Sequence, residues 1–316
     1  MKFGIATFGK NILRMLRKSN GKYHKSVLLK ESIDALKSDV MSDRHAWYID
    51  CTLGDGGHSI EIIKRGGQAV GIDIDPQALL RVQKRFQDLG IGKEKYKLIQ
   101  GNFRDLKNLI QTEPKKFSGV LFDLGVSSYQ LETPKRGFSF GKIGPLDMRM
   151  DPSLSVLAGD LVNTLSGKEL YGLFKSLGEE KYSWAVAAAL VRAREVKLFE
   201  TTKELAEIIE RAVGFRKGKI HPATRVFQAL RIAVNDELDA LQEGLDQAKD
   251  LIAKNGRIVV ISFHSLEDRI VKLKFRKWQL EGLGFSLTKK PIIPSDDEIR
   301  VNPRSRSAKL RVFEKT

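Results

Sequence analysis

Trp47-Tyr-Ile-Asp-Cys-Thr-Leu-Gly-Asp-Gly-Gly-His58 is the stretch from which the fold follows. A short apolar run ends in Asp50, and glycines stand at 54, 56 and 57. Glycine inside a strand or helix loses backbone entropy and packs nothing, so such a cluster marks a sharp turn or a close approach to a ligand. Ser59-Ile-Glu-Ile-Ile-Lys-Arg65 has helical composition, and Gly66-Gly67 stops it. Strand, glycine turn and helix make the first crossover of a nucleotide-binding α/β unit.

Working outward, Val27–Leu36 reads as a helix ahead of this strand, and Gln68–Asp73 as a second strand. Asp75-Pro76 opens a helix with proline where its missing N–H costs nothing. The apolar side of that helix runs through Leu79, Leu80, Val82 and Phe86. Tyr96–Gln100 and Gly119–Asp123 are the third and fourth strands. Alternation at this spacing predicts an α/β fold with a parallel, doubly wound sheet.

The pattern breaks from Ser127 to about Leu157, a segment punctuated by glycine and proline. Ser166/Glu169 and Thr201/Glu204 then have capping-box spacing and bracket a helix over Tyr182–Val196. Helices without an intervening strand predict a helical insertion. Helices at Thr224–Asn235 and Glu237–Lys254 and a strand at Gly256–Ser262 resume the α/β pattern, with Phe285–Lys289 and Lys309–Phe313 pairing at a sheet edge. The expected division is a basic extension over 1–22, α/β parts over 23–135 and 223–316, and the helical insertion over 136–222.

At 316 residues with 41% apolar side chains, the chain can bury a substantial core. Its apolar runs are too short for a transmembrane span. Cys51, the single cysteine, excludes an intramolecular disulfide and any cysteine-based zinc site, and fits a reducing compartment. It reads as a small buried residue beside the turn.

The net charge of +16 is concentrated at the ends: +7 over residues 1–25, +8 over residues 269–316 and +1 over the rest. A near-neutral body with basic ends suits a nucleic-acid-binding enzyme, because phosphate contacts supply much of the affinity. Met1–Lys22 is acid-free and weakly amphipathic. It reads as the basic extension of a cytosolic protein, with an organellar transit peptide as the other reading.

Asp50, Asp73 and Asp123 end successive strands, where an open parallel sheet forms its ligand crevice. Asp73 follows Gly54 by 19 residues, the spacing at which an acid reaches ribose hydroxyls. The turn lacks the third glycine of a dinucleotide motif and carries Asp55, which suits a sulfonium and an amino group better than pyrophosphate. S-adenosylmethionine is therefore favoured over NAD. A Walker loop at Gly137–Ile143 fails, being one residue short and ending in Ile143. No His, Asp or Glu cluster has metal-ligand spacing.

Several strings together resemble one family, ribosomal RNA small subunit methyltransferase H, also called MraW. They are Asp-Gly-Gly-His-Ser at 55–59, Gly-Ile-Asp-Ile-Asp-Pro at 71–76, Asp-Leu-Gly-Val-Ser-Ser at 123–128 and Arg-Gly-Phe-Ser-Phe at 136–140. Pro-Leu-Asp-Met-Arg-Met-Asp at 145–151, His-Pro-Ala-Thr-Arg at 221–225, Ser-Phe-His-Ser-Leu-Glu-Asp-Arg at 262–269 and Asn-Pro-Arg-Ser-Arg-Ser at 302–307 complete the set. The resemblance covers roughly residues 23–314 and excludes the N-terminal extension.

It implies a class I, Rossmann-like methyltransferase sheet with an inserted all-helical domain. The implied reaction moves a methyl group from S-adenosylmethionine to N4 of a cytidine in the decoding region of 16S rRNA. The small ribosomal subunit is the implied partner, the cytoplasm the location, and no metal or membrane is needed. Implied cofactor contacts are Gly56, Gly57 and His58 in the turn, Asp73 on the ribose, Phe103 near the adenine, and Asp123 and Gln130.

The N4 lone pair is delocalised into the cytosine ring, so an acceptor bonded to the amine would favour its reactive, pyramidal form. The loop at Asp123-Leu-Gly-Val126 lacks the prolines and aromatic residue that DNA amino-methyltransferases use there. Asp123 or a carbonyl of its loop is the expected acceptor, and His264, just past a strand end, is the other catalytic candidate. His58 is expected to act through its backbone, with its side chain secondary. His24 and His221 are expected to be structural or RNA-contacting.

Arg136, Arg149, Arg304 and Arg306 are the expected RNA contacts. Phe138 and Phe140 read either as base-stacking residues or as packing between the domains. A non-catalytic RNA-binding or ribosome-assembly factor keeping the fold and pocket is the alternative from another class.

Overall fold

The computed structural model describes residues 23, 25–36, 46–111, 116–214 and 221–316. The expected extension over 1–22 and His24 lie outside the described residues. The chain divides into two compact units. One runs up to Gly125 and resumes over Ala240–Thr316; the other is Val126–Asp239.

The first unit is built on a seven-stranded sheet. Its strands are β1 (Trp47–Asp50), β2 (Gln68–Asp73), β3 (Tyr96–Gln100), β4 (Phe117–Asp123), β5 (Ile252–Ser262), β6 (Gly284–Ser286) and β7 (Lys309–Lys315). Their order is β3-β2-β1-β4-β5-β7-β6. Neighbours from β3 to β5 are parallel, whereas β7 runs antiparallel to β5 and to β6. The predicted edge pairing is therefore present. The strand order reverses between β1 and β4, the topological switch point at which open α/β sheets bind ligands.

Alternation along the strands sends side chains to two faces. Val120, Phe122, Ile258 and Val260 join a core with α11 (Glu237–Leu251) and α12 (Ser265–Leu280), through Leu241, Leu245, Val271 and Phe275. Leu121, Val259 and Ile261 face the opposite layer, with Ile33 of α1 (Leu29–Ala35) and Ile62 of α2 (Gly57–Lys64). Residues buried on both sides explain the near-continuous apolar strands. Phe122 is fully buried, which stabilises the fold by roughly 2–3 kcal/mol. Cys51 is buried as expected.

Between β2 and β3, α3 (Pro76–Asp88) starts as predicted: Asp75 caps it by accepting from the Gln77 N–H at 3.0 Å, and Pro76 follows at its first turn. Four residues, Leu106–Leu109, form the short α4 after β3. A last short helix, α13 (Asp296–Val301), precedes the turn at Pro303–Ser307 that leads into β7.

The second unit contains α5 (Ser128–Glu132), α6 (Ala158–Thr164), α7 (Gly167–Leu177), α8 (Ser183–Val196), α9 (Thr202–Val213) and α10 (Ala223–Asn235). Both predicted capping boxes are formed, at Ser166/Glu169 and Thr201/Glu204. Its core joins Leu170, Phe174, Val186, Leu190, Leu205 and Ile209 to Val226, Phe227 and Leu230.

The seams differ from the expected 136 and 222, lying at Gly125/Val126 and Asp239/Ala240. The sequence reading assigned α10 to the resumed α/β part. Its apolar face instead completes the helical core, which moves the return seam into α11. Among the described residues, no helix is long and apolar enough to cross a membrane.

Candidate functional site

The strand-end acids share one edge of the sheet. Asp50 is level with Gly71 of β2 and Leu121 of β4, so Asp73 and Asp123 each stand two residues further on, flanking it. Asp50 is 1% exposed. It accepts from the Ser59 hydroxyl at 2.7 Å and from the Thr52 N–H at 3.3 Å, which ties β1 to the first turn of α2. Burial nevertheless pushes its carboxyl up to about 6.

Asp73 closes the glycine turn. Its two oxygens accept from the Gly54 N–H at 2.8 Å and from the Asp75 N–H at 2.9 Å. Burial, with Asp75 and Asp50 nearby, raises it to about 6 against those bonds. Each oxygen has a second lone pair, so the carboxylate both fastens the turn and retains capacity for a hydroxyl donor.

Gly56 lies at φ +71°, left-handed backbone that glycine adopts without cost, and caps α2. A Cβ at Gly57 would stand 2.1 Å from the Ser26 hydroxyl, so any side chain there requires Ser26 to rotate. The segment ahead of α1 thus lies directly against the start of α2.

His58 follows and is 3% exposed. Its Nε2 is 3.3 Å from the Val27 carbonyl and its Nδ1 3.7 Å from Asp123 Oδ2. Burial lowers its pKa to about 4, so the ring is neutral at physiological pH. The ring bridges the N-terminal segment and the end of β4.

Asp123 is the least satisfied of the three acids. Its N–H donates to the Thr52 hydroxyl at 2.6 Å, but Oδ1 is buried without a hydrogen-bond partner. Burial, with Asp50 and Glu267 adding repulsion, pushes its carboxyl well above the ordinary range. The groups acting on all three carboxyls are other acids and hydrogen-bond donors. A crevice of this kind attracts a cationic ligand and repels an anionic one.

Asp55 has a different role from the one its sequence position suggested. It pairs with Arg81 of α3 at 3.2 Å, and its carbonyl accepts from Arg85. Arg81 offsets its charge, so the acid character of the strand ends rests on Asp50, Asp73 and Asp123. Phe103 stands edge-on to Phe122, with ring centroids 5.5 Å apart, and Gly244 of α11 leaves space for it.

His264 is the N-cap of α12. Its Nδ1 accepts from the Glu267 N–H at 3.4 Å, while Glu267 Oε2 accepts from the N–H groups of Phe263 and His264 at 2.7 and 3.2 Å. The residue is thus committed to a reciprocal cap, a local role that the Ser-Phe-His-Ser-Leu-Glu string concealed. Glu267 was not singled out in the sequence, yet it contributes to the raised pKa of Asp123.

Gln130 belongs to the helical unit, where its side-chain oxygen accepts from the Ser127 N–H at 2.9 Å in the cap of α5. In the same unit, Arg136 donates to the carbonyls of Arg149 and Met150, both at 2.9 Å. Arg149 forms a fork with Asp147 at 2.8 and 2.9 Å and also donates to the carbonyls of Pro152 and Leu154. Both guanidiniums brace their own loop. Phe138 and Phe140 join the helical core, and Phe140 stacks on His221 at 4.4 Å. Both rings therefore pack on side chains of this unit.

Arg304 and Arg306 lie exposed on the turn before β7. Four groups that organise the crevice were not singled out from the sequence: Ser26, Thr52, Ser59 and Glu267. Only Ser59 left a signal, by directly following the glycine-histidine string.

The chain is 46% identical over 295 residues to a Coprothermobacter proteolyticus protein named ribosomal RNA small subunit methyltransferase H, covering 92% of this chain and 96% of the relative. A Sulfurihydrogenibium protein of the same name is 46% identical over 297 residues, covering 92% and 98%. A third, from Carboxydothermus hydrogenoformans, is 46% identical over 310 residues, covering 92% and 97%. Residues 21–316 match the MraW methylase family, and the chain belongs to that family.

Proposed function

We propose that the chain transfers a methyl group from S-adenosylmethionine to N4 of a cytidine in the decoding region of 16S rRNA, in the cytoplasm. The observation that carries this reading is the crevice of Asp50, Asp73 and Asp123, acid-lined and ending in the orphaned Oδ1 of Asp123. The names of the relatives supply the RNA class.

The residues fit the cofactor: the carboxyls complement its sulfonium and ammonium charges, and the turn at Gly56 and Gly57 lets backbone approach closely. Phe103 offers an apolar wall for the adenine, and Asp73 an acceptor for a ribose hydroxyl. When bound, S-adenosylmethionine supplies an electrophilic methyl group on a sulfonium.

Asp123 Oδ1 accepts an N–H of the cytidine amine, which holds that nitrogen pyramidal and directs its lone pair. A nearby positive charge returns the carboxyl to its ionised, accepting form. As the amine takes up the methyl group, Asp123 would accept the proton it releases and pass it to water. Most of the acceleration comes from positioning for in-line attack.

Transfer of labelled methyl to undermethylated small subunits and to free 16S rRNA, with the modified base identified, tests the proposal. Label in N4-methylcytidine is the expected result. RNA binding without transfer would establish the non-catalytic assembly factor instead.

A further inference from the structure

A cleft of about 320 Å³ opens within the α/β unit beside the end of β5. Phe263, His264, Ile293, Ile299, Arg306 and Lys309 are among its lining residues. The cofactor reading leaves this space unused. Its volume is at the lower end of small-ligand pockets.

We infer that this cleft is a second nucleotide subsite: it receives the base of a single-stranded RNA nucleotide flanking the methylated cytidine, with that nucleotide's phosphate on Arg306. The inference rests on the RNA-methylation reading and deepens it.

Position supports the assignment. Asp123 pairs with Ile261, so the cleft begins at Phe263, just beyond the neighbouring strand, and its far wall enters β7 at Ala308 and Lys309. One to two strand spacings, roughly 5–10 Å, separate it from the end of β4. A flanking nucleotide belongs at this distance.

The chemistry of the walls agrees. Phe263, Ile293 and Ile299 offer apolar surface for a base, and Ile293 is 66% exposed although no polar function accounts for it. Arg306 is exposed and forms no ion pair among the described residues. Lys309 adds a second cation, 3.4 Å from Asp268, whose other partner is Arg311.

His264 lines the cleft as the N-cap of α12. Its side chain is 8% exposed, and Nδ1 is occupied by the Glu267 N–H. Nε2 lies 3.1 Å from Glu267 Oε1, so the ring lines the cleft while its nitrogens face the cap of α12.

Titration of the four nucleoside 5′-monophosphates and of inorganic phosphate into the full chain tests this, using wild type, Arg306→Ala and Ile293→Trp. Nucleotides should bind at least tenfold tighter than phosphate. Arg306→Ala should weaken them at least tenfold, and Ile293→Trp, which fills the cleft, should abolish binding there. S-adenosylhomocysteine affinity should stay within twofold in both variants, showing that the fold is intact. In methylation assays, Ile293→Trp should raise KM for RNA more than it lowers kcat. Equal affinity for phosphate and nucleotides, or nucleotide binding and KM unchanged in Ile293→Trp, overturns the subsite. Failure of the wild type to methylate RNA while the cleft still binds nucleotides would instead remove the methyltransfer reading.

Discussion

His58 Nδ1 lies 3.7 Å from Asp123 Oδ2, while its Nε2 faces the Val27 carbonyl at 3.3 Å. A carbonyl can only accept, so the single N–H of the neutral ring belongs on Nε2. Nδ1 therefore presents a lone pair to Asp123 and cannot donate to it. The histidine thus leaves the carboxyl without a donor, which keeps Asp123 available to the substrate amine.

Asp123→Asn tests that availability. The amide preserves shape but cannot take up the amine proton. Cofactor affinity should weaken as the charge is lost, and at saturating cofactor single-turnover methyl transfer should fall about 10²- to 10⁴-fold, the usual range for a lost proton acceptor. A wild-type rate at saturating cofactor would remove Asp123 from the chemistry.

The strand-end acids should make cofactor affinity depend on pH. Asp50 and Asp73 titrate at about 6, so raising pH from 5 to 7.5 ionises both. S-adenosylmethionine, with its sulfonium, should tighten several-fold more over that range than uncharged-sulfur S-adenosylhomocysteine. Calorimetry at the two pH values measures this, and a constant ratio of affinities sinks the electrostatic account.

Stability should respond in the opposite sense. Asp50 binds its proton more tightly folded, at about 6, than at its ordinary 3.8. Folding therefore takes up a proton within that window, and the stability contributed falls as pH rises through it. A shift of this size corresponds to at most about 3 kcal/mol. Asp50→Asn lacks the titration, so relative to wild type it should gain ~1–3 kcal/mol between pH 4 and pH 8. Denaturant unfolding of the ligand-free protein measures the difference. A pH-independent offset would contradict the buried ionisation.

Gly57→Ala introduces a Cβ 2.1 Å from the Ser26 hydroxyl. Ser26 has to rotate away, and cofactor affinity should fall a few-fold as the contact between the N-terminal segment and α2 loosens. Adding Ser26→Ala removes the clashing oxygen and should restore most of the loss, since Gly57 is not at positive φ. Absence of rescue would show that the glycine is required for the ligand itself.

Arg304 and Arg306 should govern the salt dependence of RNA binding. Each phosphate contact on a single strand contributes about 0.7 to the slope of log affinity against log salt. Replacing both with alanine should flatten that slope by roughly 1–1.4. Filter binding across salt concentrations provides the measurement, and an unchanged slope would place the RNA elsewhere.

Much of the fold was legible because local patterns are strong where burial is two-sided. β2 and β3 match their predicted ranges, and the capping boxes at Ser166 and Thr201 are formed as spaced. α10 was misassigned because an amphipathic helix reveals that it has a buried face but not which core receives it. The loop bonds of Arg136 and Arg149 were likewise invisible in the sequence, because their carbonyl partners lie in a fold of the chain that no local pattern specifies.

By itself, the sequence determined the strand–turn–helix unit, the acids at the strand ends and, through its long motif strings, the family. These depend on neighbours within a few residues, where chirality and periodicity leave few alternatives. Tertiary structure alone decided the electrostatic state of the crevice. Asp50, Asp73 and Asp123 are separated by 23 and 50 residues in the chain, and only parallel register places them side by side away from water. The orphaned oxygen of Asp123, the bridging ring of His58 and the offset charge of Asp55 all arise from contacts between distant segments, because burial and partner geometry belong to the packed chain.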